Sequence, residues 1–416
     1  MKTNKQKNNR WATILLILVL FCLAALSAYN YFEKPFLKDK VEEVVEQIQE
    51  KTEKEDAISL ESLTTEEKLA QLMAVPLDLN YFEEKLDQET TTAEKQEASE
   101  TANLDSSTDV YPEEKSLTWI AENEPGFVIY FGDQISTQAA QLASGELKSL
   151  FTEEQVQPLL AVDHEGGQVQ RLSGEGFTKL ASWKEITTYS DKEQKDLFRK
   201  SAVELEEVGI NIVFAPVLDL AENNQILGNR AASDSAALYE AANNYIVIFS
   251  RERIMSVVKH FPGLGSIEKD LHFGDETITV SAEDTRIFQK VLTKFPNLGV
   301  MTAHVRLQDK LDGKICTLSE ECLMDLIDNY PKALLFTDDL LMESAAIQLG
   351  TSENKEITEI AIEAVEAGND VLVFGRGVEP IVLDQVLYGL EKEYNDSASF
   401  RAKVDASVAK ILALKK

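Results

Sequence analysis

The 416 residues contain four histidines, and each follows an apolar run: His164, His260, His272 and His304. Asp163, Asp219 and Asp338 end such runs as well, and Lys259 precedes His260. An aspartate can act as a nucleophile, and a histidine, with an ordinary pKa of about 6.5, can give and take a proton near neutrality. One buried histidine is more often a satisfied core residue, but four after strand-like runs and none on a helical stretch are hard to attribute to packing. Two glycine-containing segments adjoin these positions. AVDHEGGQVQRL (161–172) gives Gly166-Gly167 room for a tight turn beside Asp163, with Arg171 able to fold back toward it. KHFPGLGSIEKDLHFG (259–274) turns through Pro-Gly-x-Gly and continues into a loop carrying Asp270 and His272. Neither segment holds the G-K-[ST] or G-x-G-x-x-G of a phosphate loop. No H-E-x-x-H occurs and the acids are not spaced as a calcium loop, so neither a metal site nor a cofactor is expected.

These groups need a scaffold that brings the ends of several runs together. The runs are QLMAVPL (71–77), GFVIYFG (126–132), PLLAVDHE (158–165), INIVFAPVLDL (210–220), IMSVVKHF (254–261), LGVMTAHV (298–305), ALLFTDDL (333–340) and DVLVFGRG (370–377). Helical patterns lie between them at 136–150, 191–208, 234–251, 283–294, 318–329 and 355–367. Near-continuous Val/Ile/Leu runs suit parallel strands covered on both faces. Eight such units predict an α/β fold, a single (β/α)₈ TIM barrel with its chemistry at the C-terminal strand ends. A doubly wound open sheet is the alternative, because periodicity does not reveal closure. His164 is expected to point away from the pocket, since adjacent strand residues face opposite sides.

The chain carries 41 Lys+Arg against 72 Asp+Glu, a formal charge of −31, which argues against a nucleic-acid partner. Its apolar fraction of 44% excludes wholesale disorder. Residues 1–10 hold four bases and no acid, and residues 11–30 hold no charge. We expect a cytoplasmic basic tip (1–10), a transmembrane anchor (11–30) and a charged helical stalk (31–58), which puts the remainder outside the cytoplasm. A cleaved signal peptide is the alternative for 11–30, and a lipidated Cys22 is disfavoured by Phe21 before it. The catalytic barrel is expected over 59–416, with an acidic, flexible insertion at 84–110, rich in Glu, Thr, Ser and Ala. Cys316 and Cys322 are expected to pack as small apolar residues, a short local disulfide being the alternative.

D-x-E-G-G-x-V-x-R-L (163–172), APVLDL (215–220), GNR (228–230), KHFPGxG…DxH (259–272), VMTAH (300–304) and TDDLLM (337–342) together resemble glycoside hydrolase family 3. The likeness is to its β-N-acetylglucosaminidase branch and spans Leu60 to Lys416. It implies that Asp338 is the nucleophile, with Asp339 a weaker candidate, and that His272 with Asp270 is an acid/base dyad on a mobile loop. It implies that Asp163, Arg171, Arg230, Lys259 and His260 hold the sugar, that the partner is a glycan such as a peptidoglycan fragment, and that hydrolysis proceeds with retention. Lys259 and Arg230 would help keep Asp338 ionised. Asp219 is divided between a sugar contact and a structural hydrogen bond, and His304 is expected to support the site from behind.

Two departures stand out. Leu264 replaces a histidine usual in that branch, and GNRAAS replaces the more usual D-R-S-F-G. Other readings are a family 3 β-glucosidase, a phosphorylase, or a catalytically idle wall-binding protein. The β-glucosidase is disfavoured, because those enzymes usually draw their acid/base carboxylate from a second domain.

Overall fold

The computed structural model describes residues 59–96, 112–152, 155–347 and 356–415. Within Ser59–Lys415 the eight apolar runs are strands: β1 (Met73–Asp78), β2 (Phe127–Phe131), β3 (Leu159–Val162), β4 (Ile212–Val213), β5 (Met255–Phe261), β6 (Gly299–Thr302), β7 (Leu334–Thr337) and β8 (Leu372–Val373). They form one parallel sheet in the order β7-β6-β5-β4-β3-β2-β1-β8. A parallel bridge between Phe336 and Val371 joins its two ends, and Thr337 and Asp370 add backbone bonds across the seam. The sheet is thus a nearly closed barrel, compatible with the (β/α)₈ expectation, whereas the open doubly wound alternative would leave its ends apart.

The barrel interior is a packed core. Ala74, Phe127, Ile129, Ala161, Ile212, Phe214, Val257, Met301 and Phe336 form one buried cluster, with Phe336 edge-on to Phe127 and Phe214. Inward residues come from alternate positions of successive strands, so the centre fills with side chains. The outer layer consists of α1 (Thr65–Gln71), α2 (Asn80–Gln96), α3 (Pro112–Asn123), α4 (Thr137–Leu150), α5 (Asp191–Glu207), α6 (Ser235–Arg251), α7 (Ala282–Lys294), α8 (Glu320–Asn329), α9 (Ile357–Ala367), α10 (Pro380–Asp396) and α11 (Ala398–Leu414). Ser190 with Glu193, and Ser281 with Asp284, close capping boxes at the starts of α5 and α7, where sequence periodicity placed those helices.

Two expectations change. Residues 84–96 of the segment expected to be flexible belong to α2, whose N-terminal half gives it an anchored start: Phe82 is fully buried and Glu83 accepts from the Ser136 backbone. The remaining 97–110 lie outside the described residues, as do the basic tip, the anchor and the stalk. Among the described residues no helix is long and apolar enough to cross a membrane. Cys316 and Cys322 do not pack as free thiols but form a disulfide, with Cα atoms 5.3 Å apart. A short turn at Cys316–Leu318 followed by the start of α8 brings two residues six apart within bonding reach, which spacing alone did not reveal.

Candidate active site

A pocket of about 200 Å³ opens at the C-terminal ends of the strands. Its lining includes Asp163, Arg171, Arg230, Lys259, His260, Asp270, His272 and Asp338, so every proposed catalytic and sugar-binding residue converges there. Asp219 and His304 do not line it. Asp219 is fully buried and accepts from the backbone N–H of Leu264 (2.8 Å), the N–H of His260 (3.3 Å) and His260 Nδ1 (2.7 Å). It therefore sets the turn after β5 and the orientation of the His260 ring. His304 bonds Thr317 Oγ1 through Nδ1 (2.9 Å) and the Asp339 carbonyl through Nε2 (3.0 Å), supporting the strand end that carries the two aspartates.

The segment after β3 folds as a hairpin, His164–Gly166 against Val169–Gln170. Its turn needs Gly166 and Gly167, both at positive φ, and a Cβ at Gly166 would stand 2.3 Å from the Ala181 carbonyl. His164 points away from the pocket, as alternation predicts. It is fully buried, bonds Ser201 of α5 (2.7 Å) and lies beside an aromatic cluster in which Tyr245 stacks on Phe249. Tyr245 also donates to the His164 carbonyl (3.0 Å), pinning the strand that presents residues 163 and 165. Burial lowers the His164 pKa to about 3, so it is a neutral core residue.

Sequence reasoning missed Glu165. Its carboxylate takes a bidentate contact from Arg230 (both 2.8 Å) and a 2.6 Å contact from Lys259, while Lys259 also meets Asp163 at 2.8 Å. Glu165 follows Asp163 by two, so the strand period that turned His164 outward would have turned it inward. Burial acts against the charge of each partner, but the opposite charges prevail. Glu165 is held below the ordinary glutamate range, and Lys259 and Arg230 above theirs. Arg171 is looser, 3.6 Å from Asp163 and 3.7 Å from Asp133, and its buried Nε lacks a partner among the described residues.

Asp338 extends from the end of β7. Burial raises its pKa, but His260, His304 and the Asp339 backbone N–H, which Oδ1 accepts at 2.9 Å, outweigh that and keep it below the usual aspartate value. Lys259 contributes less than the two histidines, and Arg230, expected to assist, is committed to Glu165. Asp339 also lines the pocket, but burial lifts it to about 6. Its Oδ1 is occupied by the N–H groups of Leu341 (2.9 Å) and Gly375 (2.8 Å). Asp338 is therefore the member that stays ionised to lower pH, while Asp339 takes up a proton as the pH falls through about 6.

In the loop after β5, His272 Nδ1 lies 2.8 Å from Asp270 Oδ1, which also accepts the His272 backbone N–H at 3.0 Å. Asp270, though burial opposes it, is held below its usual range by these bonds. The loop is latched at both flanks. Asn224 Nδ2 donates to the carbonyls of Gly265 (3.2 Å) and Ile267 (2.6 Å), and Glu276 accepts the backbone N–H groups of Glu268 and Lys269. Asp275 pairs with Arg306 at 2.9 Å. Leu271 is buried while the His272 side chain stays largely exposed, so the imidazole is presented from a fixed base. Leu264 is buried beside Leu271, where a histidine would meet apolar neighbours. Among the described residues no group of three or more His, Cys, Asp or Glu could hold a metal.

Residues 64–414 match the glycosyl hydrolase family 3 N terminal domain. The chain belongs to glycoside hydrolase family 3. It is an enzyme acting on O-glycosyl bonds. A β-hexosaminidase of Idiomarina loihiensis is 32% identical over 228 residues, 52% of this chain and 66% of that protein. One from Nitrosomonas eutropha is 32% identical over 255 residues, 57% of this chain and 70% of that protein. Among solved structures, β-N-acetylhexosaminidase from Beutenbergia cavernae superposes with a TM-score of 0.70 at 21% identity, over 85% of this chain and 99% of the other. A family 3 β-N-acetylglucosaminidase from Paenibacillus sp. gives 0.67 at 24% identity, over 85% and 62%. These two likenesses establish the fold.

Proposed function

We propose that the protein is an exo-acting, retaining β-N-acetylglucosaminidase that removes terminal β-linked N-acetylglucosamine from peptidoglycan fragments outside the cytoplasm. One observation carries the reading: an ionised aspartate, Asp338, shares a pocket with a histidine, His272, whose Nδ1 is engaged by Asp270. The names of the relatives, β-hexosaminidases at about a third identity, support the sugar. The uncharged run at 11–30 behind a basic tip supports the location.

The chemistry follows from that pair. An Asp338 oxygen attacks the anomeric carbon, the glycosidic C–O bond breaks, and protonated His272 gives its Nε2 proton to the departing oxygen. Asp270 accepts from Nδ1–H, so Nε2 is the atom that exchanges the proton, and the Asp270 carboxylate stabilises the imidazolium. In the second half His272 Nε2 takes a proton from water, the hydroxide oxygen bonds the anomeric carbon, and the Asp338 ester opens with net retention. Lys259, Arg230 and Glu165 form a fixed network that holds Asp163 and the sugar hydroxyls at the pocket wall. Lys259 has three N–H groups, and two are taken by Asp163 and Glu165.

The test is release of a chromogenic leaving group from a β-N-acetylglucosaminide and a β-glucoside. The expected result is preference for the former, a loss of at least about a thousandfold in Asp338→Ala, and about a hundredfold or more in His272→Ala. Undiminished turnover in Asp338→Ala would falsify the mechanism. A sugar 1-phosphate formed when phosphate is added would instead assign phosphorolysis.

A further inference from the structure

The pocket is chemically divided. Its ionic groups other than Asp338 and Asp339 arise from the ends of β3 to β5 and the His272 loop, and most are already tied to each other. The rest of its outer wall is apolar: Leu227, Leu264, Ile267, Leu271 and Met342 belong to one buried cluster and also line the pocket. His272 follows Leu271 directly, so the imidazole stands on this wall. Two large apolar side chains next in the chain to residues of this site reach water, Ile226 before Leu227 and Phe273 after His272. Ile226, which lines the pocket, is 39% exposed, and Phe273, its ring centroid 6.4 Å from that of His272, is 78% exposed. Phe273 gains little burial from folding and Ile226 only part of its own, and exposed apolar groups continuous with the apolar wall of a pocket mark a surface that a ligand can cover.

The occupant follows from His272. A proton donor must lie against the glycosidic oxygen, and that oxygen leaves with the departing unit, so the departing unit covers the residues flanking His272. We propose that Phe273, beside His272, and Ile226, beside Leu227, form with Leu264 and Leu271 a leaving-group subsite that selects a departing unit with an apolar face, the C–H face of a pyranose ring or an aryl ring. Leu264 belongs to this specificity, because it is buried in the same apolar cluster as Leu271 and lines the pocket. The inference rests on His272 as the proton donor.

The experiment compares kcat/KM of the full chain for three substrates: the β-1,4 dimer of N-acetylglucosamine, an aryl β-N-acetylglucosaminide and methyl β-N-acetylglucosaminide. Phe273→Ala should lower the dimer-to-methyl and aryl-to-methyl ratios about tenfold, the size of one aromatic contact, and Ile226→Ser should shift them in the same direction. Phe273→Trp should restore both ratios, and inhibition by free N-acetylglucosamine should be the same in all variants. Ratios unchanged in Phe273→Ala and Ile226→Ser, or not restored by Phe273→Trp, overturn the subsite. A wild-type chain inert on all three substrates, or His272→Ala as active as wild type, overturns the parent reading and the subsite with it.

Discussion

Asp338 and Asp339 are adjacent carboxyls at one strand end, and their surroundings treat them in opposite ways. Asp338 faces two histidines and takes a backbone N–H, and stays ionised. Asp339 has its charge opposed by burial and then by Asp338 itself, and two backbone donors do not compensate. Its folded pKa of about 6 lies above the ordinary aspartate value of 3.8. The stability tied to this proton is therefore complete below about pH 4 and is lost as the pH rises through about 6. A shift of about two units corresponds to roughly 3 kcal/mol. Asp339→Asn keeps an acceptor for Gly375 and Leu341 but cannot ionise. Urea melts from pH 4 to 7 should show wild type losing more stability than the variant over that interval; parallel curves would remove the assignment. The sequence displayed the TDD triplet and favoured its first acid. It did not display that the second is pinned by Gly375, 36 residues later, because that contact exists only once β8 closes the barrel. Glu165 was within reach of strand alternation, but its role depends on Arg230, 65 residues away.

At the scale of elements, the loop after β5 decides whether His272 meets its target. Its Pro-Gly-x-Gly turn and its D-x-H were visible as residues. Its latches, Asn224 from the loop after β4 and Arg306 from beyond β6, were not, because nothing local marks a side chain that will reach another loop. Gly265 is where the two loops touch. A Cβ there would lie 1.9 Å from the Leu220 carbonyl, a backbone atom that cannot swing aside. Gly265→Ala must therefore displace the loop, costing about 1–3 kcal/mol in stability. Because a shift of about 1 Å at a reacting group can cost a hundredfold, kcat should fall by at least about tenfold. Gly145, within α4 with nothing inside 4 Å of its Cβ position, is the comparison. Gly145→Ala should raise stability by about 0.5–1 kcal/mol and leave turnover alone. Thermal melts and initial rates on both variants decide it. An active, fully stable Gly265→Ala would show that the loop approach is not rigid.

For the whole molecule, eight apolar runs with intervening helical patterns were enough to place the eight barrel strands and six of the helices between them, since burial on both faces leaves a long signal in composition, whereas α2 was hidden by its polar, Thr- and Glu-rich second half. Closure was not legible, because the seam at Phe336–Val371 is one bridge between segments whose own sequences look like any others. The charge of −31 excluded partners without locating the site, and the few bases that matter, Lys259 and Arg230, lie inside it. Ser59–Lys415 forms one compact unit, so the barrel carries its own core and pocket. A chain begun at Ser59 should melt cooperatively within about 2 °C of the full chain and hydrolyse the same substrate at a similar rate, because the described lining of the pocket, from Ile129 to Val373, lies wholly within this unit. In cells the full chain should sediment with membranes, resist extraction by high salt and be cleaved by protease added outside, whereas the chain from Ser59 should be soluble. Loss of cooperative melting in the shortened chain would sink the autonomy of the barrel. A full chain recovered in the soluble interior of the cell would sink the proposed location while leaving the hydrolase chemistry of Asp338 and His272 untouched.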